Sequence, residues 1–117
     1  MKYQEMHIDE MKQVKDSWKS HLKTFSYKLN HVKCVKETKE NRWELMQLEE
    51  LYSFCIDYCK KIIAKYSNLI DLAENCDLEE HYFLKEMKEV QKLHETMRKE
   101  LNKKSNKLLY INNFSRA

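Results

Sequence analysis

The 117-residue sequence contains no glycine and no proline, where average usage predicts roughly eight of one and roughly six of the other. Glycine supplies backbone conformations that other residues adopt only at a cost. Its absence removes the G-x-G-x-x-G turn of dinucleotide-binding folds, the P-loop, the G-x-S-x-G nucleophile elbow and the EF-hand loop. Nucleotide-binding and α/β-hydrolase chemistry go with them. The two-residue hairpins that an all-β domain of this length needs also lose their Asn-Gly and Asp-Gly signals. Arginine is scarce: Arg42, Arg98 and Arg116 stand among 22 basic residues, the rest being lysine. Lysine is a solvated point charge and bidentate phosphate reading favours arginine, so this balance speaks against a dedicated nucleic-acid reader. No uncharged apolar run approaches about 18 residues. The start, Met1-Lys2-Tyr3-Gln4-Glu5, lacks the charged-then-apolar pattern of a signal peptide. The expected location is the cytoplasm, with no membrane partner.

What is present is 42% hydrophobic and 35% charged, too apolar for generic disorder and of a length for one domain, residues 1–117. At about 100° per residue the apolar positions fall into three helical tracts. The first runs Ile8, Met11, Val14, Trp18, Leu22, Phe25, Leu29, Val32. The second runs Leu45, Leu48, Tyr52, Cys55, Cys59, Ile62, Tyr66, Leu69, Ala73. The third runs Phe83, Met87, Val90, His94, Met97, Leu101, Lys104, Leu108, Ile111, with two polar lapses. Asn41 with Glu44, and Asp77 with Glu80, have the spacing of reciprocal N-terminal caps. The reading is therefore all-α: an elongated antiparallel three-helix bundle, with helices near 3–36, 41–74 and 78–110. The rival is a continuous rod through 36–40.

The second tract is wider than the others, about 200° of helix circumference against about 120°. Leu51, Phe54, Tyr58 and Leu72 extend it on one side, and Ile56, Ile63 and Ile70 thicken the other. Either the middle helix simply touches both neighbours, or the excess width meets another chain. Three thin rods bury less surface than a sphere would, which favours pairing and a homodimer through helix faces.

The sequence offers little catalytic chemistry. Cys55 and Cys59 share a helix face, but Cys34 and Cys76 fall near helix ends, and no spacing completes a zinc site; buried, reduced cysteine is the expectation. The residues three before the five histidines are Gln4, Trp18, Lys28, Leu78 and Gln91, so the Glu-x-x-His pair of helical di-iron sites fails at each. His94, on the third tract, is expected in the core or at a dimer interface. Carboxylates alternate with lysines, as Glu86 and Glu89 do with Lys85, Lys88 and Lys92, in the manner of a solvated helix surface.

The expected function is that of a small cytosolic, non-enzymatic protein-interaction module: an inhibitor, adaptor, assembly factor or chaperone. It would bind a partner protein through an apolar helix face and need no cofactor or metal. Leu51, Phe54, Tyr58 and Leu72 are the expected anchors, since aromatic anchors dominate interface energies. The alternative is a nucleic-acid-binding regulator. No acid follows Glu100, and the basic tail 102–117 carries Lys103, Lys104, Lys107, Tyr110 and Arg116, a mixture that can hold phosphates and stack bases. A catalytic helical bundle ranks below both.

Overall fold

A computed structural model of the protein describes residues 3–116, with side chains over 7–104. Three helices follow one another, α1 (Tyr3–Cys34), α2 (Arg42–Asn75) and α3 (Glu80–Arg116), and the described residues contain no strand. The chain does break after α1, so the continuous rod is not formed. α3 begins two residues later than the tract suggests and continues past 110 to Arg116, in a stretch with no glycine or proline to stop it. The molecule measures 59 × 23 × 17 Å, with a radius of gyration of 18.2 Å; a compact domain of this length would have about 13 Å.

The bundle is built around one stripe of α2. Leu51, Cys55, Cys59, Ile62, Tyr66, Leu69, Ile70 and Ala73 are its buried residues, and the side chains of Cys55, Cys59, Ile62 and Leu69 have no exposure at all. Burying an Ile or Leu side chain contributes about 1.5–3 kcal/mol, and this stripe does so along most of the helix. α1 supplies Met11 and Trp18 to it, and α3 supplies Phe83, Val90 and Met97.

Polar contacts fix both neighbours antiparallel to α2. Lys12 pairs with Glu74 at 2.8 Å and Phe25 meets the Tyr52 ring at 6.3 Å, which sets the register of α1. On the other side the Lys65 ammonium donates to Glu86 at 2.8 Å and also to Glu89, while Lys104 reaches Glu50 at 3.6 Å. The hydrogen bonds from Lys65 hold the Glu89 carboxyl below the usual carboxylate range.

These contacts explain the wide face of α2. Tyr52, Ile56, Ile63 and Ile70 share one flank by helical periodicity, and Tyr52 carries the contact to α1. Phe54, Tyr58, Lys65 and Leu72 share the other, and Lys65 carries the contact to α3. Two neighbours thus cover most of the width within one chain. α1 and α3 meet through rings rather than backbone: among the described residues no Cα of α1 comes within 8 Å of one in α3, while His7 meets Phe83 and Trp18 meets His94 at 5.1 Å between centroids.

Both turns are made without glycine, though not by the expected caps. Asn41 precedes α2 but has φ −104° and ψ −5° and makes no side-chain cap bond to it. Its backbone is already helical, because a turn has closed upstream: the Arg42 N–H donates to the Thr38 carbonyl at 3.0 Å. The reciprocal cap lies three residues earlier. The Asn41 N–H donates to Thr38 Oγ1 at 3.2 Å, the Thr38 N–H donates to Asn41 Oδ1 at 2.7 Å, and Asn41 Nδ2 donates to the Lys36 carbonyl at 2.9 Å. At α3 the Phe83 N–H donates to the Glu79 carbonyl at 3.0 Å, so Asp77 stands two residues ahead of the cap position. Leu78 and Phe83, 6% and 8% exposed, occupy the flanking positions of a hydrophobic staple.

The relocated cap gives a direct test. Thr38→Ala and Asn41→Ala should each cost about 1–2 kcal/mol in urea unfolding, whereas Asp77→Ala should stay within about 0.5 kcal/mol. Equal losses at Thr38 and Asp77 would contradict the assignment.

Candidate functional site

The backbones of α1 and α3 stay apart, and an open groove of about 620 Å³ lies between them, bridged by the ring contacts of Trp18 with His94 and of His7 with Phe83, each at 5.1 Å. Val14 and Trp18 form the α1 wall, Tyr66 of α2 lies at its floor, and Leu84, Met87, Lys88, Val90, Gln91 and His94 form the α3 wall. The lining is mostly apolar. Its rims hold two large side chains that the fold leaves uncovered, Val14 at 37% and Leu84 at 50% exposure. Trp18 is itself buried and is met edge-on by two imidazoles, His21 at 5.3 Å and His94 at 5.1 Å. Burial pushes the Tyr66 hydroxyl above its usual range, so it is neutral at physiological pH.

The expected anchors occupy other positions. Leu51 is a core residue, 4% exposed, and offers no surface to a partner; it points along the buried stripe rather than beside it. Phe54, Tyr58 and Leu72 are half-buried and packed against the core on the flank of α2 that α3 covers. The Phe54 and Tyr58 rings stack at 4.4 Å, with the Lys61 ammonium 4.9 Å from the Tyr58 centroid. They serve first to seat α3. His94 is exposed rather than interior, although its ring meets Trp18 of α1 edge-on at 5.1 Å.

Of the residues of the nucleic-acid alternative, Lys103 is exposed. Lys104 is engaged with Glu50 at 3.6 Å and Glu100 at 3.9 Å, which neutralises it locally. The side chains of Lys107, Tyr110 and Arg116 lie outside the described residues. Leu84 is the groove residue that periodicity alone passes over. It falls off the tract Phe83, Met87, Val90, and an apolar side chain out of register with its helix was the available signal.

Among the described residues no three His, Cys, Asp or Glu side chains converge as a metal site. Among them no buried side-chain nitrogen or oxygen lacks a partner either. No helix among them is long and apolar enough to cross a membrane. The four cysteines are free, with Cys34 and Cys76 exposed and Cys55 and Cys59 buried. Burial pushes the Cys55 thiol up to about 12 and the Cys59 thiol up to about 11. Compared with known proteins, the chain matches no protein-family model, no curated protein and no solved structure.

The thiolate is the reactive form of cysteine, and a raised pKa withholds it. At pH 8 the native protein should therefore react with a thiol reagent such as dithionitrobenzoate at Cys34 and Cys76 only, with Cys55 and Cys59 following on denaturation. Simultaneous reaction of all four would mean that the centre of α2 is open to solvent.

Proposed function

We propose that the chain is a small non-enzymatic interaction module that binds a partner protein through an apolar helix face. The observation that carries this reading is the groove between α1 and α3, where Val14 and Leu84 stand exposed over Trp18, Tyr66 and Val90. Apolar side chains facing one another across an open groove are the usual seat of an amphipathic helix. The half-buried Phe54 and Tyr58 lie on the other side of α3, so the binding face moves from the α2 flank to the α1–α3 groove. Charged residues around the groove then set orientation and rate more than affinity. Reduced thiols at Cys34 and Cys76 suit a reducing cytosol.

Site-specific photo-crosslinking tests the reading. A benzophenone side chain placed at Leu84 should give a discrete protein adduct in cells of the native source. One placed at Tyr27, 74% exposed but outside the groove, should not. No adduct from position 84, or the same adducts from both positions, would remove the basis for the reading. An adduct of twice the 14.4 kDa chain mass would identify the partner as a second copy.

A further inference from the structure

We infer that the outward ridge of α1, Lys19, Lys23, Tyr27 and His31, binds single-stranded nucleic acid, with its lysines against phosphates and the Tyr27 ring against a base. The ridge lies outside the groove lining, so it is a second surface, independent of the partner-protein reading.

The sequence concentrates the charge. Between Asp16 and Glu37 there is no acidic residue, while Lys19, Lys23, Lys28, Lys33 and Lys36 all fall there. The helix then sets part of that charge in line. Lys19, Lys23, Tyr27 and His31 are successive i, i+4 positions, neighbours about 6 Å apart along the axis, and all four are exposed. Cys34, also exposed, continues the ridge at i+3, for a length of about 22 Å.

These cations are not consumed by the fold. Lys12 is engaged with Glu74, Lys65 with Glu86 and Glu89, and Lys104 with Glu50 and Glu100. Among the described residues no carboxylate pairs with Lys19 or Lys23, Asp16 included. Lysines at a helix C-terminus complement its dipole, but that effect fades within the last turn. His31 and Lys33 occupy the last turn of α1; Lys19 and Lys23 lie well before it.

The side chains around the lysines select the ligand. Leu22, Phe25 and Leu29 are half-buried, so the ridge presents no aliphatic surface, and a bilayer or an amphipathic helix would need one. Exposed Ser20 and Asn30 flank it instead, residue types that donate to phosphate oxygens. Tyr27, at 74%, is the most exposed large hydrophobic side chain among the described residues. A ring standing between cations is a platform for an unpaired base, whose face a duplex would hide. Lysine lacks the arginine fork and holds phosphate as a point charge. The scarcity of arginine therefore excludes sequence reading while leaving sequence-tolerant binding, which depends steeply on salt.

Anisotropy of a fluorescein-labelled oligothymidylate of about 12 nucleotides, titrated with the full-length protein, tests the inference. Binding should appear at about 50 mM salt and weaken with a log–log slope of about −2, as three phosphate contacts require. Lys19→Glu combined with Lys23→Glu should weaken it about tenfold or more. Lys85→Glu combined with Lys99→Glu, the same change in net charge at exposed positions of α3, should leave it within about twofold. Tyr27→Ala should cost at least about fivefold, and Tyr27→Phe, which keeps the ring, should not. Circular dichroism checks that each variant keeps its helicity. A readout on the unmutated chain is the alkylation of its exposed thiols by iodoacetamide: bound oligonucleotide should slow Cys34, at the end of the ridge, and spare Cys76, at the opposite end of the bundle. No binding at low salt, equal losses from the α1 and α3 pairs, or full affinity in Tyr27→Ala would overturn the inference. So would displacement of the oligonucleotide by polyglutamate or phosphatidylserine vesicles as effective, charge for charge, as displacement by unlabelled oligothymidylate.

Discussion

The burial of a single stripe of α2, from Leu51 to Ala73, is the interaction on which the rest of the structure depends. Its centre is made of small and medium side chains, Cys55, Cys59 and Ile62, all without exposure. Small residues there let two neighbours approach the same helix closely. α1 and α3 accept that approach on adjacent sides and are held in register by Lys12 with Glu74 and by Lys65 with Glu86 and Glu89. These pairs are partly exposed and each contributes little energy. Their value is in fixing which residues face which. The groove is a by-product of this arrangement, since two helices placed on adjacent sides of a third leave a furrow wherever their own side chains are too short to meet.

Most of the fold was legible in the sequence because helical periodicity is a local property. Of the second tract, Cys55, Cys59, Ile62, Tyr66, Leu69 and Ala73 are buried while Leu45, Leu48 and Tyr52 at its start are half-buried, and the absence of glycine left no other economical architecture. The caps were less legible. Asn41-x-x-Glu44 and Thr38-x-x-Asn41 are both plausible reciprocal pairs on paper, and the choice was made by where the chain had already turned. Thr38 won because its hydroxyl and the Asn41 amide satisfy the loop and the first turn together.

The candidate site was harder to read for a physical reason. A wide apolar face says that a helix has more than one neighbour, but not whether those neighbours come from the same chain. Phe54, Tyr58 and Leu72 look like surplus hydrophobicity until α3 is laid against them. Exposed hydrophobics remain on all three helices, Val14 of α1 and Leu84 of α3 at the groove and Trp43 and Met46 at the start of α2. The groove at Val14 and Leu84 depends on how far apart α2 holds the backbones of α1 and α3, which no spacing of residues within one helix records.

The same topology bears on how the chain comes to be folded. Each backbone interface joins helices adjacent in sequence, α1 with α2 and α2 with α3, so the molecule is assembled from two overlapping hairpins, and the ring contacts of His7 with Phe83 and of Trp18 with His94 wait for α3 to dock. Proteins dominated by such local contacts fold quickly, since little loop-closure entropy is lost before packing begins. The α1–α2 hairpin is complete in sequence at residue 75, so its half of the core can form during synthesis, before α3 has emerged. Until α3 arrives, the flank of Phe54, Tyr58 and Leu72 is bare.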